Sequence, residues 1–264
     1  MRIVGLYGLL LLILLIHTAH LSLDLFDRVV KLVAKHEENR LVEKVKDHVH
    51  FSERRRKVEA HHPVRGVDIS HWDGELDWGA LKRSGITFVY IKATQGLTDV
   101  DPRFHQNWEN ARKHGFHRGA YHFFDPDEDG ERQARHFLKT VKLKKEDMIS
   151  AVDVEVAASG GSEQLVNELE KWLKTVEQQV NHKPMIYCDV PFWNEHVKAD
   201  MGEYPLWLAQ WEDGEKPNEL PMGWKDYAMW QYSATGTVQG INHSSVDLDV
   251  WNGGMRELRR MQVR

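Results

Sequence analysis

Between residues 64 and 250 the chain alternates short apolar runs with helical patterns, and eight such runs fall within about 190 residues. Alternation of this kind predicts an α/β fold with a mainly parallel sheet. Eight strands in so short a span predict an irregular TIM-like (β/α) barrel with some helices shortened or missing. Two further observations agree. Polar and aromatic residues gather at the carboxyl ends of the runs, where an α/β barrel opens its mouth. The first 62 residues follow a different pattern, so the barrel is expected to occupy residues 63–264.

At the amino terminus, Met1-Arg2 precedes an apolar run over residues 3–16, the pattern of an export signal. Leu21, Leu23, Leu25 and Phe26 prolong the run, and no A-x-A cleavage site follows, so residues 1–23 are expected to act as a signal peptide or, preferably, an uncleaved signal anchor. Leu25, Val29, Val33, Leu41, Val45 and Val49 then recur at helical spacing among charges, predicting a helical stalk or linker over 24–62. Its basic end, Arg54-Arg55-Arg56-Lys57, suits an anionic lipid or polymer and equally a solvated helix face.

Within the barrel, strands are predicted at 64–69, 86–91, 117–123, 149–155, 184–188, 205–209, 227–231 and 245–250. Helices are predicted at 78–84, 102–114, 131–141, 162–180 and 192–197. No internal repeat is visible.

Composition narrows the chemistry. Residues 66–264 carry 23 Lys or Arg against 32 Asp or Glu, and this acidic body has no basic stripe interleaved with aromatics, which argues against a nucleic-acid partner. The single cysteine, Cys188, excludes an intrachain disulfide and sits in an apolar run, as a buried small residue does. Sixteen histidines include no H-E-x-x-H and no ligand spacing, so neither a catalytic metal nor another cofactor is expected. Ten Trp offer flat faces that pack in cores and also stack on sugar rings.

Ala151-Val152-Asp153-Val154-Glu155 sets two carboxylates two residues apart on an expected strand, pointing to one side. Neighbouring charge and burial both raise a carboxyl pKa, so such a pair suits acid/base chemistry; a solvated or Lys/Arg-bound pair at a strand end is the alternative. Other polar groups fall at strand ends too: Asp68, Lys92, Tyr121, His122, Tyr187, Gln210 and Gln231, with Asp247 in the last run. Converging carboxylates with Tyr and Trp, and no Ser or Cys nucleophile motif, fit glycoside hydrolysis, which needs a proton donor and a negative group beside an oxocarbenium-like transition state.

A set of ordered motifs sharpens this reading. Gly66-Val67-Asp68-Ile69-Ser70 with Trp72, Phe88-Val89-Tyr90-Ile91-Lys92-Ala93-Thr94-Gln95-Gly96, Gly119-Ala120-Tyr121-His122-Phe123 and Asp153-Val154-Glu155 come first. Ile186-Tyr187-Cys188, Leu206-Trp207-Leu208-Ala209-Gln210-Trp211, Trp230-Gln231-Tyr232-Ser233 and Val246-Asp247-Leu248-Asp249 follow. In this order they resemble the glycoside hydrolase family 25 muramidases, lysozymes that cleave between N-acetylmuramic acid and N-acetylglucosamine in peptidoglycan. The resemblance implies that Glu155 is the general acid, that Asp153 orients the substrate acetamido group or tunes the acid, and that Asp68 and Asp247 complete the catalytic set. It also implies a substrate-binding role for Tyr121, with Lys92, Tyr187, Trp207, Gln210, Trp230 and Gln231 as further candidates in the same mouth, and peptidoglycan glycan strands as the partner, with no protein partner required.

One position departs from the family pattern: Gln95 stands where a glutamate is expected, which removes a charge. Asp249 is ambiguous, since it alternates with Asp247 on one strand face, and motif register favours Asp247. Two other readings stand beside the hydrolase. One is a non-catalytic peptidoglycan-binding or envelope-tethering barrel, and none of the four acids is lost as that would suggest. The other is a chitinase-like enzyme, whose D-x-x-D-x-D-x-E strand motif is absent.

Overall fold

The structure, a computed structural model, describes residues 23–242 and 245–264. The expected export segment over residues 1–23 lies outside the described residues except for Leu23, the first residue of helix α1. Helix α1, Leu23–His61, bears out the helical periodicity of the stalk. Val33, Leu41 and Val49 of its apolar stripe are all exposed, and i,i+3 pairs such as Arg40–Glu37 at 2.7 Å decorate its surface. Residues from Arg56 onward belong to the second compact unit, the barrel, where Val58 of the last helical turns is fully buried.

In the barrel unit the strands are β1 Arg65–Ile69, β2 Phe88–Gln95, β3 Asp99–Val100, β4 His117–Phe123, β5 Ala151–Asp153, β6 Met185–Asp189, β7 Leu206–Ala209, β8 Met229–Gly236 and β9 Val246–Trp251. Helices α2 Trp78–Arg83, α3 Phe104–Lys113, α4 Gly130–Thr140, α5 Ser162–Val180, α6 Val190–Phe192 and α7 Met255–Arg260 lie between and after them, and α6 runs on into a π turn at Trp193–Val197. The sheet order is β1-β9-β8-β7-β6-β5-β4-β2-β3, and β1 also pairs with β2, which closes eight strands into a barrel and leaves β3 as a short appendage on β2. All eight predicted strands and five predicted helices occur; β3 and α7 were not anticipated.

The strands are parallel except for β3 and β9, and β9 runs antiparallel to both β8 and β1. Its amino-terminal half therefore lies at the mouth, beside the carboxyl ends of its neighbours, with Asp247 opposite Asp68. The predicted strand 149–155 is also shorter than expected. Regular pairing stops at Asp153, after which only the Val154 amide continues it, donating to the Tyr187 carbonyl at 3.0 Å.

Alternation along each strand fills the interior with large rings over small partners. Phe88, Tyr90, Tyr121, Met185, Trp207, Met229 and Trp251 form the inner core. Gly66 and Gly119 make room for it. A Cβ at Gly66 would lie 2.1 Å from the Phe88 ring, and one at Gly119 would lie 2.3 Å from the Tyr90 ring. At the foot of β4, buried Arg118 donates to both carboxylate oxygens of Asp147, at 2.7 and 3.2 Å, and to the Trp108 carbonyl at 2.6 Å.

Candidate active site

Seven of the barrel strands deliver an inward polar residue to one end of the barrel. Asp68 comes from β1, Lys92 from β2, Tyr121 from β4, Asp153 from β5, Tyr187 from β6, Gln231 from β8 and Asp247 from β9. Register carries the ring around: Lys92 pairs with Tyr121, Asp153 with Tyr187, Tyr187 with Trp207, and Asp68 with Asp247. Glu155 stands just beyond β5 in an irregular segment and is exposed at the rim, whereas Asp153 is buried.

Gln231 organises one side of the mouth. Its Oε1 accepts from the Tyr187 hydroxyl at 3.1 Å and from Trp211 Nε1 at 3.0 Å. With both donors on the oxygen, the amide is oriented so that Nε2 donates to Asp68 Oδ2 at 2.8 Å. Below them Trp207 forms the floor. Its ring meets Tyr187, Tyr90 and Tyr121 at 4.9, 5.1 and 6.0 Å between centroids, and its Nε1 donates to Asp249 at 2.9 Å.

On the opposite side β2 carries a bulge between Lys92 and Thr94, which sets both Lys92 and Gln95 at the strand end. Lys92 Nζ donates to Gln95 Oε1 at 2.8 Å and lies 4.4 Å from the centre of the Phe123 ring. Gln95 thus engages Lys92 as a neutral acceptor where a glutamate would have paired with it by charge. A cavity of about 320 Å³ adjoins this side, lined by His71, Lys92, Gln95 and Thr98 to Pro102. A second, of about 130 Å³, opens past the ends of β6 and β7 against Asp189, Trp211, Glu212 and Glu219.

Crowded carboxylates hold their protons tightly here. Burial, then the neighbouring Glu155, pushes Asp153 well above the usual carboxylate range, with Lys92 opposing. Glu155 is also raised, by partial burial and Asp189, against the pull of Lys92. Asp247 is pushed up to about 6 by burial and then by Asp73 and Glu155. Tyr121 and Tyr187 are raised by burial and by the same acids, so both stand as neutral phenols that can donate a hydrogen bond. An acid next to another acid, both with raised pKa values, is what proton donation near neutral pH requires.

Some expected members of the mouth lie elsewhere. Trp230 is 1 % exposed and faces the outside of the barrel, its Nε1 donating to the Gln210 carbonyl at 2.8 Å and its ring against His62. Neighbouring residues of a strand point to opposite faces, so Trp230 cannot share the mouth with Gln231. Gln210, one residue past β7, lines the smaller cavity beside Asp189 and Trp211, with its Oε1 taken by the Asn218 amide at 2.8 Å. Trp207, 2 % exposed, supports the site from beneath and offers no open face. The exposed tryptophans are Trp72, at 73 %, and Trp211, at 54 %. His122 is structural: Gln133 Oε1, which also accepts from the Asp125 amide, takes its Nε2 proton, and Thr94 Oγ1 lies 2.8 Å from Nδ1. Burial pushes His122 down to about 3. Among the described residues no group of His, Cys, Asp and Glu is placed to hold a metal ion.

A closed (β/α) barrel with acids crowded at its open end, flanked by exposed tryptophans, defines a glycoside hydrolase type of site. Comparison with known proteins agrees. The sequence profile of the glycosyl hydrolases family 25 matches residues 67–241, and the chain belongs to that family. It is 35% identical over 226 residues to the uncharacterized protein YegX of Escherichia coli (strain K12), covering 81% of each chain. It is 32% identical to Lysozyme M1 of Streptomyces globisporus, covering 74% of this chain and 70% of that one. The crystal structure of the bacterial lysozyme from Streptomyces coelicolor superposes with a TM-score of 0.70 at 31% identity, over 75% of this chain and 96% of that chain.

Proposed function

We infer that the protein is a lysozyme, an N-acetylmuramidase that hydrolyses the β-1,4 bond between N-acetylmuramic acid and N-acetylglucosamine in peptidoglycan. The observation that carries this reading is the convergence of Asp68, Asp153 and Asp247 on Glu155 at the mouth of a family 25 barrel. Glu155 stands at the rim with a raised pKa and is the general acid: its proton goes to the glycosidic oxygen as the bond from that oxygen to the anomeric carbon breaks. Asp153, deeper and beside it, orients the acetamido group next to the anomeric carbon, while burial and Asp189 hold the proton on Glu155. Asp68 and Asp247 line the sugar subsite, and water completes the hydrolysis and restores the proton to Glu155. Tyr121, Tyr187, Lys92 and Gln231 contact the substrate.

Digestion of purified peptidoglycan tests this. Wild type releases new muramic acid reducing ends, and Glu155→Gln, which keeps shape and loses the proton, is slower by about 10² to 10⁴-fold. Equal release from both would remove Glu155 from its role, and binding without release by wild type would favour a non-catalytic tether.

The location is proposed on the same footing. The apolar run over residues 3–16 suits an export segment, and peptidoglycan lies outside the cytoplasm, so the protein is assigned to the cell envelope as a periplasmic enzyme for wall remodelling. In this reading residues 1–23 anchor it to the membrane, residues 24–62 form a stalk, and residues 63–264 are the catalytic barrel. Among the described residues no helix is long and apolar enough to cross a membrane, and the run itself lies outside them. Amino-terminal sequencing of the native protein decides: a start near residue 24 ends the anchor reading and leaves a secreted enzyme.

A further inference from the structure

The smaller cavity, of about 130 Å³ past the ends of β6 and β7, has no part in the mechanism above. It lies one strand from the mouth: Ala209 in its wall pairs with Asp189 on one side and with Gln231 on the other. Three carboxylates, Asp189, Glu212 and Glu219, line it, and no Lys, Arg or His does. Asp189 Oδ1 accepts from the Phe192 amide at 2.6 Å and Glu212 Oε2 from Asn218 Nδ2 at 3.1 Å. Among the described residues none of the three acids is in an ion pair, and Glu219 accepts no hydrogen bond. Two further features point to a ligand. Gln210 is 9 % exposed and lines the cavity; its Oε1 is taken by the Asn218 amide, and its Nε2 has no acceptor among the described residues. Beside it Trp211 is 54 % exposed yet fixed in orientation, because its Nε1 donates to Gln231 Oε1 at 3.0 Å.

A nearly buried N–H without an acceptor is costly, and a ligand oxygen that accepts from Gln210 Nε2 removes that cost. Carboxylates without a basic partner, next to an aromatic face, suit a cation. Among the described residues no acidic group is placed to hold a metal ion, so the carboxylates are spaced for a cation that forms hydrogen bonds. We propose that this cavity binds a primary ammonium of the peptidoglycan substrate, flanked by an oxygen acceptor, with Trp211 as the platform for the body that carries it. The ammonium donates to Asp189, Glu212 and Glu219, and the neighbouring oxygen accepts from Gln210 Nε2. Two groups in peptidoglycan have this chemistry: a glucosamine that has lost its acetyl group, whose ammonium adjoins a hydroxyl, and the free end of a diamino acid in the peptide, whose ammonium adjoins a carboxyl. The flat Trp211 ring and the acidic lining favour the sugar. That the ligand belongs to peptidoglycan rests on the muramidase reading; the preference for an ammonium does not.

Calorimetric titration of the full chain tests this, in the Glu155→Gln background so that no probe is cleaved. The probes are the tetramers of glucosamine and of N-acetylglucosamine, and meso-diaminopimelate, at slightly acid pH. The glucosamine tetramer binds about fivefold tighter than the acetylated one at low salt, and the margin shrinks as salt is added. The acids of the mouth also attract cations, so the margin is assigned by Glu212→Gln/Glu219→Gln, two exposed positions outside the mechanism. The double variant loses the margin and keeps its affinity for the acetylated tetramer within about twofold. A margin that survives the double variant overturns the proposal. Equal binding of the two tetramers assigns the cavity to the peptide amine if meso-diaminopimelate binds and the double variant abolishes that binding; if it does not bind, the proposal is overturned. If wild type cleaves no peptidoglycan the proposed function fails, while the titrations still decide whether the cavity takes an ammonium.

Discussion

Replacing Asp247 by Asn should stabilise the protein while disabling it, and only above a definite pH. Burial, Asp73 and Glu155 together raise this carboxyl from an ordinary 3.8 to about 6. A carboxyl that binds its proton more tightly when folded favours the folded state fully below the unfolded value, and that contribution is lost as pH rises through the folded value. The interval from 3.8 to about 6 corresponds to about 3 kcal/mol. Asp247 is partly open to the mouth, and solvent screening reduces the figure to about 2 kcal/mol. Asn keeps the shape without the charge, and it also relieves Asp68 and Asp153, both of which Asp247 pushes upward. For a barrel of this size the gain translates to a Tm higher by about 4 to 8 °C near pH 7.5, with almost no difference near pH 4. Thermal unfolding of the two proteins at both pH values, alongside peptidoglycan turnover, is the assay. A gap of equal size at both pH values, or a variant less stable near neutrality, would show that Asp247 is not held against its charge and would refute the crowding argument.

The remaining expectations are more local. Arg118→Met leaves the Asp147 carboxylate buried without its guanidinium and should cost about 3 to 5 kcal/mol in urea unfolding, with much of it recovered in Arg118→Met/Asp147→Leu; a loss under about 1 kcal/mol would mean that water reaches the site. Trp211→Ala removes an exposed ring fixed by Gln231 and should raise KM for soluble glycan about 5 to 20-fold with kcat changed far less, whereas an equal fall in kcat would place the residue closer to the reacting atoms.

How much of this was legible depends on what strand periodicity encodes. Apolar runs between turn residues gave all eight barrel strands, because a strand covered on both faces must be apolar and short. The same runs say nothing of direction, so the antiparallel β9, and with it the arrival of Asp247 from the amino-terminal side, was invisible. The two-residue β3 lacks a run to detect. For the site, alternation held more than was taken from it. Gln231 and Trp230 are adjacent, so only one of them can face the interior; had Gln231 been fixed as inward by its link to Asp68, Trp230 would have been excluded at once. Depth is a different matter. Asp247 and Asp249 share a face by their spacing, and only the closed barrel shows that one stands at the mouth and the other in a dry layer beneath, where Trp207 donates to it. Two aspartates alike in sequence differ because one is partly open to the mouth and the other is closed off from water.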